Sequence, residues 1–188
     1  MAQVGWTSFT SVELVALAIS ILSLVLAGAA FGWQVLSWFL GGGRARATLR
    51  HGVLTPTGIV TREVGRSAVA DYSGFHDVGP VVAEILEVRV VNHGRLPLLV
   101  ESYEVEMRDG GGLSFTPIGD AQGTHDLPHE LRPGHRASWW TEMVNVDALV
   151  NASQVIKTGS HVVGMSVVLA DGRKIKTADK LRRPIPPR

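Results

Sequence analysis

Leu14 to Leu40 contains no charged side chain, and its only amide is Gln34. About twenty apolar residues suffice to cross the hydrocarbon core of a bilayer, roughly 30 Å thick. The run therefore predicts a transmembrane helix over 14–40, preceded by a short N-terminal tail over 1–13. A cleaved signal peptide fits less well. Met1 to Val12 holds no Lys or Arg, and the apolar run continues past the small residues Ala27-Gly28-Ala29 through Phe31, Val35, Leu36, Trp38 and Leu40.

Gly41-Gly42-Gly43 predicts a flexible hinge over 41–43. The remainder is long enough for one ordinary domain with its own core. All 18 Lys and Arg follow Gly43, as does every acid except Glu13. The anchored part thus carries only a slight positive balance, too small to imply a nucleic-acid partner. Cysteine is absent, which excludes a disulfide scaffold, a thiol nucleophile, an iron–sulfur cluster and a cysteine zinc site, and fits a cytoplasmic domain. Fourteen Arg against four Lys, with abundant Ala, Gly and Val, matches a GC-rich bacterial coding bias.

Sidedness follows from flanking charge. The N-terminal flank offers only its amino group, whereas Arg44, Arg46 and Arg50 follow the helix. The positive-inside rule then places the C-terminal domain in the cytoplasm. Trp6 and Phe9 on one side, with Trp33, Trp38 and Phe39 on the other, suit the interfacial aromatic belts. Gly28-x-x-x-Gly32 offers a close-approach face for helix association, although glycine is also simply frequent in membrane helices.

The rest reads as short strands. Ala45, Ala47 and Leu49 alternate with Arg44, Arg46, Thr48 and Arg50, a period of two. Further strands are expected at Ile59–Thr61, Val81–Val91, Leu98–Met107, Leu113–Phe115, Arg136–Thr141, Val162–Ala170 and Arg173–Thr177, with a loop over 65–79 and a short helix over Val146–Ala152. Asn92-His93-Gly94-Arg95-Leu96-Pro97, Asp109-Gly110-Gly111-Gly112, Arg132-Pro133-Gly134-His135 and Asp171-Gly172 supply the turns. The expected fold class is mainly β: the N-terminal transmembrane α-helix followed by an antiparallel, broadly immunoglobulin-like β-sandwich over 44–178 and a basic, proline-rich tail over 179–188.

The helix closing on Gly32-Trp33-Gln34, the glycine joint, Leu49-Arg50-His51-Gly52, Val91-Asn92-His93-Gly94-Arg95-Leu96-Pro97, Leu131-Arg132-Pro133-Gly134 and Asp171-Gly172-Arg173 together carry a likeness. In these turn motifs the chain resembles a group of small membrane-anchored β-sandwich proteins of actinobacteria and their phages. The resemblance implies the anchored β fold and carries over no catalytic residue.

No motif for acyl transfer, nucleotide binding or zinc hydrolysis is present. Asp120, His125, Asp126, His129 and Glu130 form the one polar constellation, and Pro128 argues against the helix that would align His125 with His129 on a metal. No catalytic residue, cofactor or metal ligand is therefore assigned. Asn92 and Arg95 read as turn residues first. Adjacent Trp139 and Trp140 face opposite sides of a strand, so one belongs to the core and the other is a candidate partner contact. Residues 173–188 hold seven basic side chains, among which Lys180, Arg182 and Arg183 are candidates for a membrane surface or an acidic partner. The leading expectation is a single-pass membrane protein that presents a non-catalytic interaction module at the inner face. Its partners would be membrane lipid and a protein or a second copy. The alternatives are an envelope or adhesion module outside, and a metal-dependent hydrolase.

Overall fold

The computed structural model describes residues 11–41, 43–69, 75, 78–109, 112–117, 122–154 and 161–183, and the chain divides into two compact units, Met1–Gly42 and Gly43–Arg188. The first unit holds α1 (Ser11–Gly41), which begins before the expected Leu14 because Glu13 is accommodated in the first turn. A carboxylate there faces the positive end of the helix dipole. Ser11–Ser37 is long and apolar enough to cross a membrane. Its two mid-helix serines are self-satisfied, since the Ser20 and Ser23 hydroxyls donate to the Ala16 and Ile19 carbonyls at 2.9 and 2.8 Å. Polar groups on such a helix must find partners within it. Among the described residues, nothing lies within 4 Å of a Cβ placed on Gly28 or Gly32.

The second unit contains two sheets. One joins β1 (Ala45–Thr55), β2 (Gly58–Glu63), β4 (Ala83–Asn92) and β8 (Arg136–Glu142) in the order β2-β1-β4-β8, all antiparallel. The other joins β3 (Arg66–Val69), β5 (Leu98–Met107), β6 (Ser114–Phe115), β9 (His161–Leu169) and β11 (Lys180–Arg183) in the order β3-β11-β9-β5-β6. In addition, β7 (His129–Leu131) pairs with β5 and β10 (Lys174–Lys176) with β9. Helix α2 (Met143–Gln154) follows β8 directly.

Period-two alternation sorts the side chains. Ala47 and Leu49 of β1, Leu86, Val88 and Val90 of β4, and Tyr103, Val105 and Met107 of β5 enter one core with Val163, Met165, Val167 and Leu169 of β9. Met143, Val146, Val150 and Ser153 recur at three- and four-residue intervals along α2 and give it one buried stripe. Tyr103 joins the sheets, its hydroxyl donating to the Trp140 carbonyl at 2.7 Å. Burial pushes the Tyr103 phenol up to about 12.

The structure departs from the sequence reading at five places, one of them β7, a short strand where none was expected. Lys180–Arg183 is a strand in the second sheet rather than tail, because Leu181 is buried in the core between outward-facing charges. A single apolar residue is too short a pattern to signal a strand. That strand pairs with β3 in parallel, so the fold is not wholly antiparallel. β3 itself lies inside the segment read as loop, most of which falls outside the described residues. Helix α2 starts at Met143, earlier than Val146, because no turn separates it from β8. Residues 184–188 of the expected tail also lie outside the described residues.

Asn92 is wholly buried at the end of β4. Its Nδ2 donates to the carbonyls of Leu96 and Leu131 at 2.8 and 2.9 Å, and its Oδ1 accepts from the Gly94 amide at 2.9 Å. Its backbone bonds to the turn at Arg132–His135, accepting from Gly134 and donating to His135. His93 and Gly94 then both donate to the Arg44 carbonyl, at 2.6 and 3.1 Å. Asn92→Ala leaves buried partners unsatisfied, so it is expected to cost roughly 1–3 kcal/mol or more by urea unfolding of the full chain in detergent. Asn92→Asp should cost as much, since an oxygen replaces the amide donor opposite two carbonyls.

Candidate functional site

Most charged side chains on the two sheets are engaged with each other. Across the first sheet, register places Glu63, Arg50 and Glu87 in one row over β2, β1 and β4. Arg50 donates to the Thr61 hydroxyl and carbonyl at 2.9 and 2.7 Å, and lies 3.3 Å from Glu63 and 3.4 Å from Glu87. Arg89 closes on the other oxygen of Glu87 at 3.3 Å. Glu87 is thereby buried between two guanidinium groups, the condition under which a carboxylate tolerates loss of water.

The second sheet repeats the device. Ser166 donates to Glu106 at 2.6 Å, with Arg108 at 3.4 Å and Lys176 at 3.3 Å. Lys174 donates to Glu104 at 2.6 Å. Arg108 lies across Gly164, where an added Cβ would come 2.5 Å from its Nε, and it donates to the Met165 and Thr177 carbonyls. A side chain at position 164 would have to displace that guanidinium. Burial raises the Glu106 carboxyl, but the Ser166 bond, Arg108 and Lys176 outweigh it and hold the group below the usual carboxylate range.

Between β1, the start of β4 and the end of β11, a third network ties the sheets to α2. His51 Nε2 lies 2.8 Å from Glu84, and Arg183 lies 3.6 Å from the same carboxylate while donating to both oxygens of Asp147 at 2.8 and 2.9 Å. The Asp147 bonds hold the Arg183 guanidinium above its ordinary range. Nearby, His161 Nδ1 is 3.2 Å from Ser153 Oγ and 3.3 Å from Asp109 Oδ2. This is not the geometry of a nucleophilic triad, in which serine and aspartate bind opposite ring nitrogens. Both partners share Nδ1, the Ser153 hydroxyl donates to the Val150 carbonyl at 2.7 Å, and buried Nε2 has no hydrogen-bond partner among the described residues.

His125 and His129 stack with centroids 4.1 Å apart and planes 2° from parallel. Imidazole lone pairs lie in the ring plane, so parallel stacked rings do not converge on one ion. Burial and the neighbouring His125 lower the His129 imidazole, against an upward pull from Glu130. Among the described residues no group of three or more His, Asp or Glu is placed to hold a metal ion. Asp120 lies outside them.

Of the residues singled out in the sequence, Trp139 is 0% exposed and donates its indole N–H to the His125 carbonyl at 2.8 Å, which makes it the core tryptophan of the pair. Trp140 is half-buried opposite Glu87. Arg183 is engaged as described, whereas Lys180 and Arg182 are exposed on β11. Arg44 and Arg46 are exposed, and Arg50 belongs to the ion-pair row.

Arg46 lines a groove of about 450 Å³ with Thr48, Glu63, Val64, Gly65, Val91, His93 and Asp179. The groove follows the half of β1 that β2 leaves unpaired, since β2 begins its register at Arg50. The same end of the domain gathers the turn 93–97, the turn 132–135 and the hairpin at Asp171–Arg173, whose Arg173 reaches the Gly43 carbonyl at 3.5 Å. Sequence reasoning identified each turn but not their convergence, which depends on strand pairing. No protein-family model and no curated protein matches the chain.

Because Glu106 is held below the unfolded carboxylate value of about 4.3, its contribution is present above that pH and is lost as pH falls through the folded value. Glu106→Gln should therefore destabilise the domain at neutral pH and flatten the acid limb of a urea-midpoint profile. A variant whose acid limb stays as steep as the parent's would contradict this assignment.

Proposed function

We propose that this is a single-pass membrane protein whose β domain, a broadly immunoglobulin-like sandwich, serves as a non-catalytic interaction module at the cytoplasmic face. The reading accords with the likeness to membrane-anchored proteins of actinobacteria and their phages. Arg44, Arg46 and Arg50 beside the helix support the sidedness. Acidic and basic groups that could do chemistry lie in mutually compensating pairs, which supports a scaffold rather than an active site.

The observation that carries the module reading is the far end of the first sheet. Among the described residues β2 is an edge strand, and its Ile59 and Val60 stand exposed, as do Val81 and Val82 just before β4. An unpaired strand edge beside exposed apolar side chains is a template for strand addition by a protein ligand. Helix pairing through Gly28 and Gly32 would place two such edges on one assembly.

The absence of cysteine makes single-cysteine tests clean. A Val144→Cys protein should resist a membrane-impermeant thiol reagent in intact cells and react after permeabilisation. Arg44→Gln with Arg46→Gln should raise labelling in intact cells. Full labelling of the parent cysteine protein in intact cells would put the domain outside and favour the envelope reading. A photocrosslinker at Ile59→Cys should capture a protein in native membranes, and Val60→Lys should abolish the adduct.

A further inference from the structure

We propose that the end of the β domain formed by Arg44, the turn 93–97 and the hairpin at Asp171–Arg173 is a lipid-surface seat, with Leu96 and Leu99 entering the interface and arginines meeting anionic headgroups. This deepens the anchor reading above and rests on it.

Leu96 is 55% exposed and Leu99 43%, although their neighbours Leu98 and Val100 are buried in the core. A strand that sends alternate residues inward leaves Leu99 outside, and the turn held by Asn92 leaves Leu96 and Pro97 outside with it. Large apolar side chains held exposed at a rigid turn mark a contact surface when they cluster with a defined rim. Arginines stand on the side of this surface nearest the helix. Arg95 precedes Leu96 and is exposed, the Arg44 carbonyl accepts from His93 and Gly94, and Arg173 reaches Gly43. Three acids border this surface: Asp171 is paired with Arg173 at 2.6 Å, Glu130 stands opposite Leu99 on β7 and lies 3.8 Å from Arg132, and Glu101 shares the exposed face of Leu99. Exposed arginines around exposed leucines match a negatively charged, partly apolar surface, which is the interface of an anionic leaflet.

The covalent chain names the occupant. Only the segment between Gly41 and Arg44 separates α1 from this turn, and three residues of chain reach at most about 10 Å. If α1 crosses a bilayer, this end of the domain is tethered at the bilayer surface whatever the orientation of the rest. Ile59, Val60, Val81 and Val82 lie toward the opposite end of β1, a strand of 11 residues and so about 30 Å away, and stay available to a protein ligand.

The test uses full-length single-cysteine proteins carrying an environment-sensitive fluorophore, reconstituted in vesicles of phosphatidylcholine with or without phosphatidylglycerol. Labels stand at Leu96→Cys, Leu99→Cys, Val82→Cys and, within the helix, Val25→Cys. Spin-labelled lipids report depth by quenching. The expected result is quenching at Val25 by deep spin labels and at Leu96 and Leu99 by shallow ones. The shallow quenching should strengthen with phosphatidylglycerol, weaken with salt and with Arg95→Glu, and be absent at Val82. Quenching at Val25 with Leu96 and Leu99 as solvated as Val82 would overturn the seat and leave the anchor standing. Equal quenching at Leu96 and Val82 would also overturn it, as unspecific adsorption. No quenching at Val25 would overturn the anchor reading and the seat together.

Discussion

The side-chain amide of Asn92 is the constraint on which this end of the domain depends. It has no exposed surface, and its donors and acceptor go to the adjoining 93–97 turn and to Leu131, which comes close only in the fold. An asparagine in water would have solvent for each of these groups, so the fold must supply partners or accept a buried polar group without one. By supplying them it fixes the 93–97 turn, the close of β7 and, through His93 and Gly94, the point where the chain enters β1. Arg44, Arg95 and Leu96 inherit their positions from this one residue, while Leu99 is placed by β5 and Arg173 by its own hairpin.

Charge pairing is the second organising principle. Glu87, Glu106, Glu84 and Asp147 each sit against arginine, lysine or histidine within the fold. A buried pair is weak evidence for net stability, but removing one partner is costly. The pairs therefore select one register for each sheet more than they strengthen it. They also limit what the domain can offer a ligand. Lys174, Lys176 and Arg183, which make the C-terminal sequence look like a free basic stretch, already have carboxylates of their own.

Much of the fold is legible in the sequence where one element has one clear period. The uninterrupted apolar run yields α1, Leu98–Met107 is a strand over the span its alternation indicates, and Asp171-Gly172 turns the chain as expected. The parts that escape are those whose signal lies in another segment. β11 is a strand because β9 and β3 flank it and Leu181 fills the core, and its own four residues read as a basic tail. Arg50 reads as a topology charge and is also the centre of a row contributed by β2 and β4. Tandem Trp139 and Trp140 show that one must be inside, and only the packing shows which. The candidate surface is legible turn by turn, from Asn92-His93-Gly94 and Asp171-Gly172-Arg173, but the bonds that bring the turns together join residues far apart in the chain.

The central claim is that one end of the domain faces lipid while the rest of its surface faces water or protein. Amide hydrogen exchange of the full-length protein, compared between anionic nanodiscs and zwitterionic ones, reads the whole surface at once. The account predicts slower exchange in anionic discs confined to residues 44–46 and 93–99, with β2 and the segment before β4 unchanged. Protection centred on β2 or on Lys180–Arg183 instead, or no difference between the two lipid compositions, would contradict it.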